Sequence, residues 1–256
     1  MFCCSRRCVR NEAGMNSVPV QILRQACLNG LYCRHSGAYC RTGSDSFPVS
    51  VEKLLDDGEI LKNSRSVVSG FDAEHRYFIK KYKKNGFWRT LKRSLQYPRS
   101  FRCLAAALRL KEIGVDTPEV LLASRYFLIT EILYGVQYLP ECPEYAFDAV
   151  ALLAKLHENG IQHGDFNLRN LYRNARGQFG AIDLDGSRLY CGPVPEKVRF
   201  LELARLVSSY LKDISCPPQK FPEITADFAA DYKRISGFDF SGPKLLMRVT
   251  ELAARR

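Results

Sequence analysis

The sequence predicts an α+β chain of two lobes, a small β-rich one followed by a helical one. Three observations predict it. Residues 59–82 and 118–133 carry short apolar runs with period-two alternation, interrupted by turn residues. From Pro143 onward the apolar period lengthens to that of amphipathic helices. Between a helical run and the short apolar run FGAI lies a dense polar stretch, GIQHGDFNLRNLYRN at 160–174.

The 256 residues are enough for one large domain or two closely packed lobes. An apolar share of 46% and a charged share of 25% are those of a globular chain. No apolar run approaches the roughly 18 residues needed to cross a bilayer. The start, MFCCSRRCVRNEAGM, is basic but lacks the apolar core of a secretory signal. The expectation is a soluble, cytoplasmic protein.

Taken in order, residues 1–48 are expected to form a poorly ordered, Cys-rich leader. Six of the ten cysteines fall there, without the paired spacing of a metal site. Ordered structure is expected from near Val49, with one lobe over 49–140 and the other over 141–256. SVEKLLDDG reads as a short helix closed by Gly58. EILKNSRSVVSGF and HRYFIKKY read as strands, with GFDAEH turning between the later pair. GFWRTLKRSL and RSFRCLAAALRLKEIG read as helices, the first with Phe87 and Trp88 on its apolar side, the second closed by Gly114. PEVLLAS and RYFLITEIL complete the strands of this lobe.

In the second lobe, EYAFDAVALLAKLHENG is a helix with Phe147, Val150, Leu153, Ala154 and Leu156 along one side. LYRN and FGAIDLDG are two short strands around a turn. VRFLELARLVSSYLKD, EITADFAADYKRIS and PKLLMRVTELAARR read as the closing helices.

The net charge of +11 is concentrated. Twelve of the 38 lysines and arginines lie in 75–111, which contains no acid; the rest of the chain holds 26 basic and 27 acidic residues. A local patch implies an anionic partner more strongly than diffuse charge does. Nucleic acid, anionic lipid and phosphorylated sugar are the classes it admits.

The polar stretch offers the parts of a phosphoryl-transfer site. Such chemistry needs phosphate positioning, a divalent metal and a carboxylate beside the attacking hydroxyl. Asp165 sits in a short loop where it can accept a hydroxyl proton. Asn170, on the same loop, and Asp183, after FGAI, offer the oxygen ligands that Mg2+ prefers. Lys80 lies centrally in YFIKKY, where strand alternation puts it on one face with Phe78, opposite Ile79 and Lys81. His163 is read as a brace of the loop.

With these residues the chain resembles the protein-kinase-like superfamily. HGDFNLRN is similar to the catalytic loop H-x-D-x-x-x-x-N, IDLDG to the metal-binding aspartate motif, and YFIKKY to the phosphate-lysine strand. More narrowly, FIKKYKKNGFW, LKEIGVDTPEVL, LITEIL and LHENGIQHGDFNLRNLY with IDLDGSR resemble the bacterial lipopolysaccharide core-sugar kinases, the Kdo and heptose kinase group. The resemblance covers roughly residues 50–215. It implies a protein-kinase-like two-lobed fold and ATP-dependent phosphorylation of a sugar hydroxyl of the inner core. It also implies roles: Lys80 on the α- and β-phosphates, Asp165 as base, Asn170 and Asp183 on magnesium, and Glu131 at the start of the hinge strand near adenine.

Three departures stand out. KNSRSVVSG replaces a glycine-rich loop, so phosphate cover falls to Ser64, Arg65, Ser66 and backbone amides. The helix RSFRCLAAALRL carries no glutamate for Lys80, and Glu112 lies only at its end. Gly164 stands where signalling kinases carry the arginine that reads activation-loop phosphorylation.

Three functions are admitted. The first is a lipopolysaccharide core kinase whose basic segment meets anionic saccharide or the cytoplasmic face of the inner membrane, with no nucleic acid expected. The second is a kinase of another small molecule or of protein, such as an aminoglycoside-type phosphotransferase. The third is a non-enzymatic basic binder on a degenerate kinase scaffold. A cationic aminoglycoside would be repelled by residues 75–111, which favours the first.

Overall fold

In the computed structural model, the structure describes residues 12–43, 51–83 and 97–254. The chain divides into two compact units, Arg10–Arg109 with Pro118–Tyr134, and Leu110–Thr117 with Gly135–Arg256.

The first unit contains α1 (Glu12–Leu28), β1 (Tyr32–His35), β2 (Ala38–Arg41), α2 (Val51–Asp56), β3 (Glu59–Asn63), β4 (Val67–Phe71), β5 (Tyr77–Tyr82), all but the last turn of α3 (Arg99–Glu112), β6 (Val120–Ala123) and β7 (Phe127–Glu131). Seven strands form one antiparallel sheet in the order β1-β2-β6-β7-β5-β4-β3. Ile79, Leu122 and Ile129 point to one face and meet Leu55 of α2, forming the core. That face is the one the alternation predicts for Ile79. Helix α3 is anchored by Tyr39 against Phe101, with ring centroids 5.0 Å apart, and by the Ser100 hydroxyl on the Ser124 carbonyl. Gly114 follows it with φ +67, the left-handed end expected of a C-cap.

The leader expectation is corrected. Residues 12–43 form α1 and a β-hairpin that extends the sheet, so ordered structure begins well before Val49. The hairpin turns at Ser36–Gly37, both at positive φ, which suits the twist of the flanking strands. Its strands have four residues each, too few to display a period. Their order comes from distant partners: Tyr39 pairs with Ala123, Cys40 with Leu122, and the Tyr32 hydroxyl donates to the Val120 carbonyl at 2.6 Å. The helix expected over 86–95, with Phe87 and Trp88, lies outside the described residues, as do Cys3, Cys4 and Cys8.

The second unit contains β8 (Gln137–Tyr138), α4 (Asp148–Glu158), β9 (Ile161–Gln162), β10 (Leu171–Arg173), β11 (Phe179–Ala181), β12 (Arg188–Leu189), α5 (Glu196–Asp213), α6 (Phe221–Ser236) and α7 (Pro243–Ala254). Helix α4 buries Val150, Leu152, Leu153 and Leu156. Each such side chain contributes about 1.5–3 kcal/mol, so packing rather than propensity fixes the helix. Phe147, just before it, stacks on Phe228 of α6 at 4.4 Å. The short strands form two ribbons, β11-β10-β8 and β12-β9. Among the described residues, no helix is long and apolar enough to cross a membrane.

Candidate active site

Two ribbons clamp the loop that carries the polar motif. Gly160, at φ +72, reverses the chain after α4. The chain then enters β9, which pairs with β12 through Ile161–Leu189 and Gln162–Arg188. At its other end the loop enters β10, paired with β11 through Leu171–Ala181. The segments 163–170 and 182–187 are therefore held side by side. The Asn170 carbonyl accepts the Ile182 N–H at 2.9 Å, and His163 Nε2 lies 3.0 Å from the Ile182 carbonyl.

His163 is buried, and its ring meets Phe166 edge-on. Burial holds its pKa below the ordinary 6.5, against the opposing fields of Glu202, Asp183 and Asp165. The neutral ring donates from Nε2 to Ile182 and accepts the Asp165 N–H at Nδ1, 3.3 Å away. The brace expected of His163 is thus a tie between the loop and the residue preceding Asp183.

Asp165 is exposed while its neighbours Phe166 and Leu168 are fully buried, so packing beneath the loop presents the carboxylate outward. Its carbonyl accepts from Asn167 Nδ2 at 3.1 Å and from Asn170 Nδ2 at 2.9 Å. Asn170 Nδ2 also lies 3.4 Å from Asp165 Oδ2. With its amide nitrogen turned to Asp165, Asn170 keeps Oδ1 for another partner. Asp183 is exposed and adopts φ 57, ψ 52, a left-handed conformation uncommon outside glycine. These two side chains suit a hard cation, because their donors are oxygens. Among the described residues no group of three or more His, Cys, Asp or Glu could hold a metal alone. Two protein oxygens with the remainder from phosphate and water match the way Mg2+ is held beside nucleotides.

Gly164 has φ +91, and a Cβ there would stand 2.2 Å from the Gly186 carbonyl oxygen. Only glycine permits this approach of the loop to the segment after Asp183.

Beneath the loop lies a set of residues on α5 that sequence reasoning missed. Glu202, fully buried, accepts the His163 N–H at 3.1 Å and the Gly164 N–H at 2.6 Å, and also contacts His157 Nε2 at 3.1 Å. Arg205 donates to the Gly164 carbonyl, and Ser209 Oγ accepts the Leu168 N–H. Asp213 takes Arg169 at 3.2 Å. Positions 202, 205, 209 and 213 follow helical spacing and form one polar stripe on α5. Burial alone would raise the Glu202 pKa. The hydrogen bond and field of His157, the field of His163 and the Gly164 amide outweigh it and hold the carboxyl below the ordinary 4.5. His157 is displaced downward by burial and is neutral, donating from Nε2 to Glu202 and accepting the Tyr232 hydroxyl at Nδ1, 2.7 Å away.

The remaining predicted residues belong to the first unit. Lys80 sits mid-strand in β5, paired with Ser69 and Leu128, and is 9% exposed with Nζ 5.9 Å from the centre of the Phe78 ring. Lys81 instead meets Phe127. Ser64 holds the β3–β4 turn: its hydroxyl accepts the N–H of Ser66 at 3.3 Å and of Val67 at 3.1 Å, and donates to the Val67 carbonyl. The Ser66 carbonyl accepts the Lys83 N–H. Glu131 ends β7, where its carboxylate accepts the Glu119 N–H at 2.8 Å.

Against known proteins, residues 49–228 match the model of the lipopolysaccharide kinase (Kdo/WaaP) family. The chain belongs to that family. It is therefore a kinase, and its helical unit carries the loop in which kinases place their catalytic aspartate. No curated protein matches the chain. Among solved structures it is similar to the Rio2 kinase–ADP/Mg2+–phosphoaspartate complex from Chaetomium thermophilum, at 15% identity and a TM-score of 0.37, covering 91% of this chain and 75% of that one. It is also similar to the ROP18 kinase domain in complex with AMP-PNP and sucrose, at 13% identity and a TM-score of 0.44, covering 75% and 78%. The α1 helix and the β1–β2 hairpin lie outside the matched stretch of this lipopolysaccharide-kinase family member.

Proposed function

We propose that this kinase transfers the γ-phosphoryl group of ATP to a hydroxyl of Kdo or heptose in the lipopolysaccharide inner core. The observation that carries the proposal is the fixed Asp165–Asn170 pair beside Asp183, in a chain of the lipopolysaccharide kinase family.

Asp165 accepts the proton of the attacking sugar hydroxyl. Its backbone is pinned from both sides by Asn167 and Asn170, which keeps the carboxylate oriented. Asn170 and Asp183 hold Mg2+, which when bound neutralises charge on the phosphate oxygens. Lys80 holds the α- and β-phosphates. Ser66 and amides of the 64–66 turn cover them, with the Ser64 hydroxyl shaping that turn. Glu131 opens the segment that follows the adenine edge. The excess of positive charge over 75–111 supports an acceptor bearing phosphates or carboxylates and argues against a cationic one. Because such an acceptor is lipid-anchored, we place the reaction in the cytoplasm, with peripheral contact at the anionic inner face of the inner membrane.

The test is Mg2+-dependent transfer of labelled γ-phosphate from ATP to purified lipid A–core acceptors, with Asp165→Ala alongside. Transfer by the wild type and none by the variant is expected. ATP binding without transfer to any Kdo or heptose acceptor would reject the substrate; no ATP binding would reject the whole reading.

A further inference from the structure

We propose that Arg41, on the amino-terminal hairpin, is a nucleotide-positioning residue that sets the strand end from which the purine is read. The inference rests on the reading of Glu131 as the start of the adenine-binding segment.

The strand register brings the hairpin to that point. β2 pairs with β6 through Tyr39–Ala123 and Cys40–Leu122, and β6 pairs with β7 through Val120–Thr130. The irregularity between Val120 and Leu122 marks where β6 bends at its entry. Arg41, the next residue out on β2, forms an ion pair with Glu119. Glu119 is in turn closed onto Glu131 twice: the Glu131 N–H donates to the Glu119 carbonyl at 3.0 Å, and Glu131 Oε1 accepts the Glu119 N–H at 2.8 Å. The path Arg41–Glu119–Glu131 therefore runs through direct polar contacts.

A second hairpin contact fixes the same place. The buried Tyr32 hydroxyl donates to the Val120 carbonyl. Burial, eased by Arg41 and reinforced by Glu131, pushes the phenol up to about 12, so it stays a donor throughout the working pH range. Arg41 and Glu131 both lie near enough to act on this phenol.

The electrostatic reason is local. Glu119 and Glu131 bring two carboxylates to one strand end, and like charges there push the strands apart. Arg41 gives Glu119 a positive partner at this strand end, and the planar fork of its guanidinium is something a lysine reproduces only in part. Arg41 and Tyr32 precede residue 49, so the family match does not include them. They lie in the hairpin that precedes the matched stretch.

The experiment uses the full chain with Arg41→Ala, Arg41→Lys, Glu119→Gln and Lys80→Ala. It reads dissociation constants for Mg2+–ATP and Mg2+–GTP, the KM for each substrate, kcat and thermal midpoints. Arg41→Ala is expected to weaken ATP about 3- to 30-fold, the range for a residue acting through packed neighbours. The ATP-over-GTP preference should narrow, while acceptor KM and kcat stay within about twofold by the same argument. Arg41→Lys should recover part of the loss. Glu119→Gln, which keeps the side-chain volume, should show the same selectivity change, and it carries the test if Arg41→Ala does not fold. Unchanged ATP affinity and ATP/GTP ratio in folded Arg41 and Glu119 variants, with only a lower midpoint, would overturn the inference. If Lys80→Ala alone weakens nucleotide binding, the inference fails and the nucleotide reading stands. If neither Lys80→Ala nor Arg41→Ala weakens it, both fail.

Discussion

Asn170 turns its amide nitrogen to Asp165, 2.9 Å from the carbonyl and 3.4 Å from carboxylate Oδ2. One side chain thus orients the proposed base while its own oxygen stays turned to the proposed metal position. The two roles separate by substitution. Asp165→Asn should lower kcat by about 10²- to 10⁴-fold, the usual worth of a positioned proton acceptor, and leave ATP affinity within about twofold. Steady-state kinetics beside equilibrium nucleotide titration checks both halves.

Asn170→Ala removes the oxygen proposed to meet Mg2+ and the tie to Asp165 together. The Mg2+ concentration for half-maximal activity should rise about 10-fold or more, with a fall in kcat that saturating Mg2+ does not restore. A Mg2+ titration at fixed ATP decides it: full recovery at high Mg2+ would show that the tie to Asp165 is dispensable.

Gly164 tolerates no Cβ, at φ +91 with the Gly186 oxygen in its path. Gly164→Ala should keep the helical unit folded, since Leu168 and Phe166 remain to anchor the loop. Its activity should fall about 100-fold, the cost of a displacement near 1 Å at the reacting groups. Circular dichroism with kinetics separates this from unfolding.

Glu202 satisfies two loop amides and His157 from a fully buried position. Glu202→Ala strands all three and should cost about 3–5 kcal/mol by chemical denaturation. Glu202→Gln, which keeps an acceptor oxygen, should cost less.

His157 makes stability depend on pH. Burial displaces its folded pKa below the ordinary 6.5, so the unfolded chain takes up a proton that the folded one refuses. The contribution is therefore complete above about pH 6.5 and is lost as pH falls below it, at up to about 1.4 kcal/mol per pH unit. Glu202, also held low, adds its own loss only below its ordinary 4.5. Urea unfolding at pH 7.5, 6.0 and 5.0 should show the slope; His163, also held below 6.5 by burial, shares it, so His157→Gln should flatten it only in part.

The loop of the helical unit and the strand of the first unit are each legible in the sequence because their residues have fixed spacing. His163, Asp165 and Asn170 fall on one loop, and the alternation of YFIKKY turns Ile79 to the core and leaves Lys80 with Phe78. The supporting residues are not legible in the same way. Glu202, Arg205, Ser209 and Asp213 look like the solvated face of an amphipathic helix until the loop is laid across them. A signal was available: Glu202, Arg205, Ser209 and Asp213 recur at helical spacing along one side of α5, and such a stripe suggests a partner. The hairpin at 32–41 is illegible for a different reason. Tyr32 finds Val120 across 88 residues, and no local window contains that bond. Ser64 shows the same limit on a smaller scale, since its residue type does not say that its hydroxyl closes its own turn.

The contact of Gly164 with Gly186 also bears on how this kinase could change over evolutionary time. Any point mutation of the Gly164 codon that alters the residue adds a Cβ where the Gly186 backbone already stands. Signalling kinases place at this position an arginine that receives a phosphate from a neighbouring loop. Here the route to that device is blocked by backbone touching backbone, and two segments would have to be rebuilt together to open it. A lineage carrying this contact keeps glycine at 164 unless both segments change together.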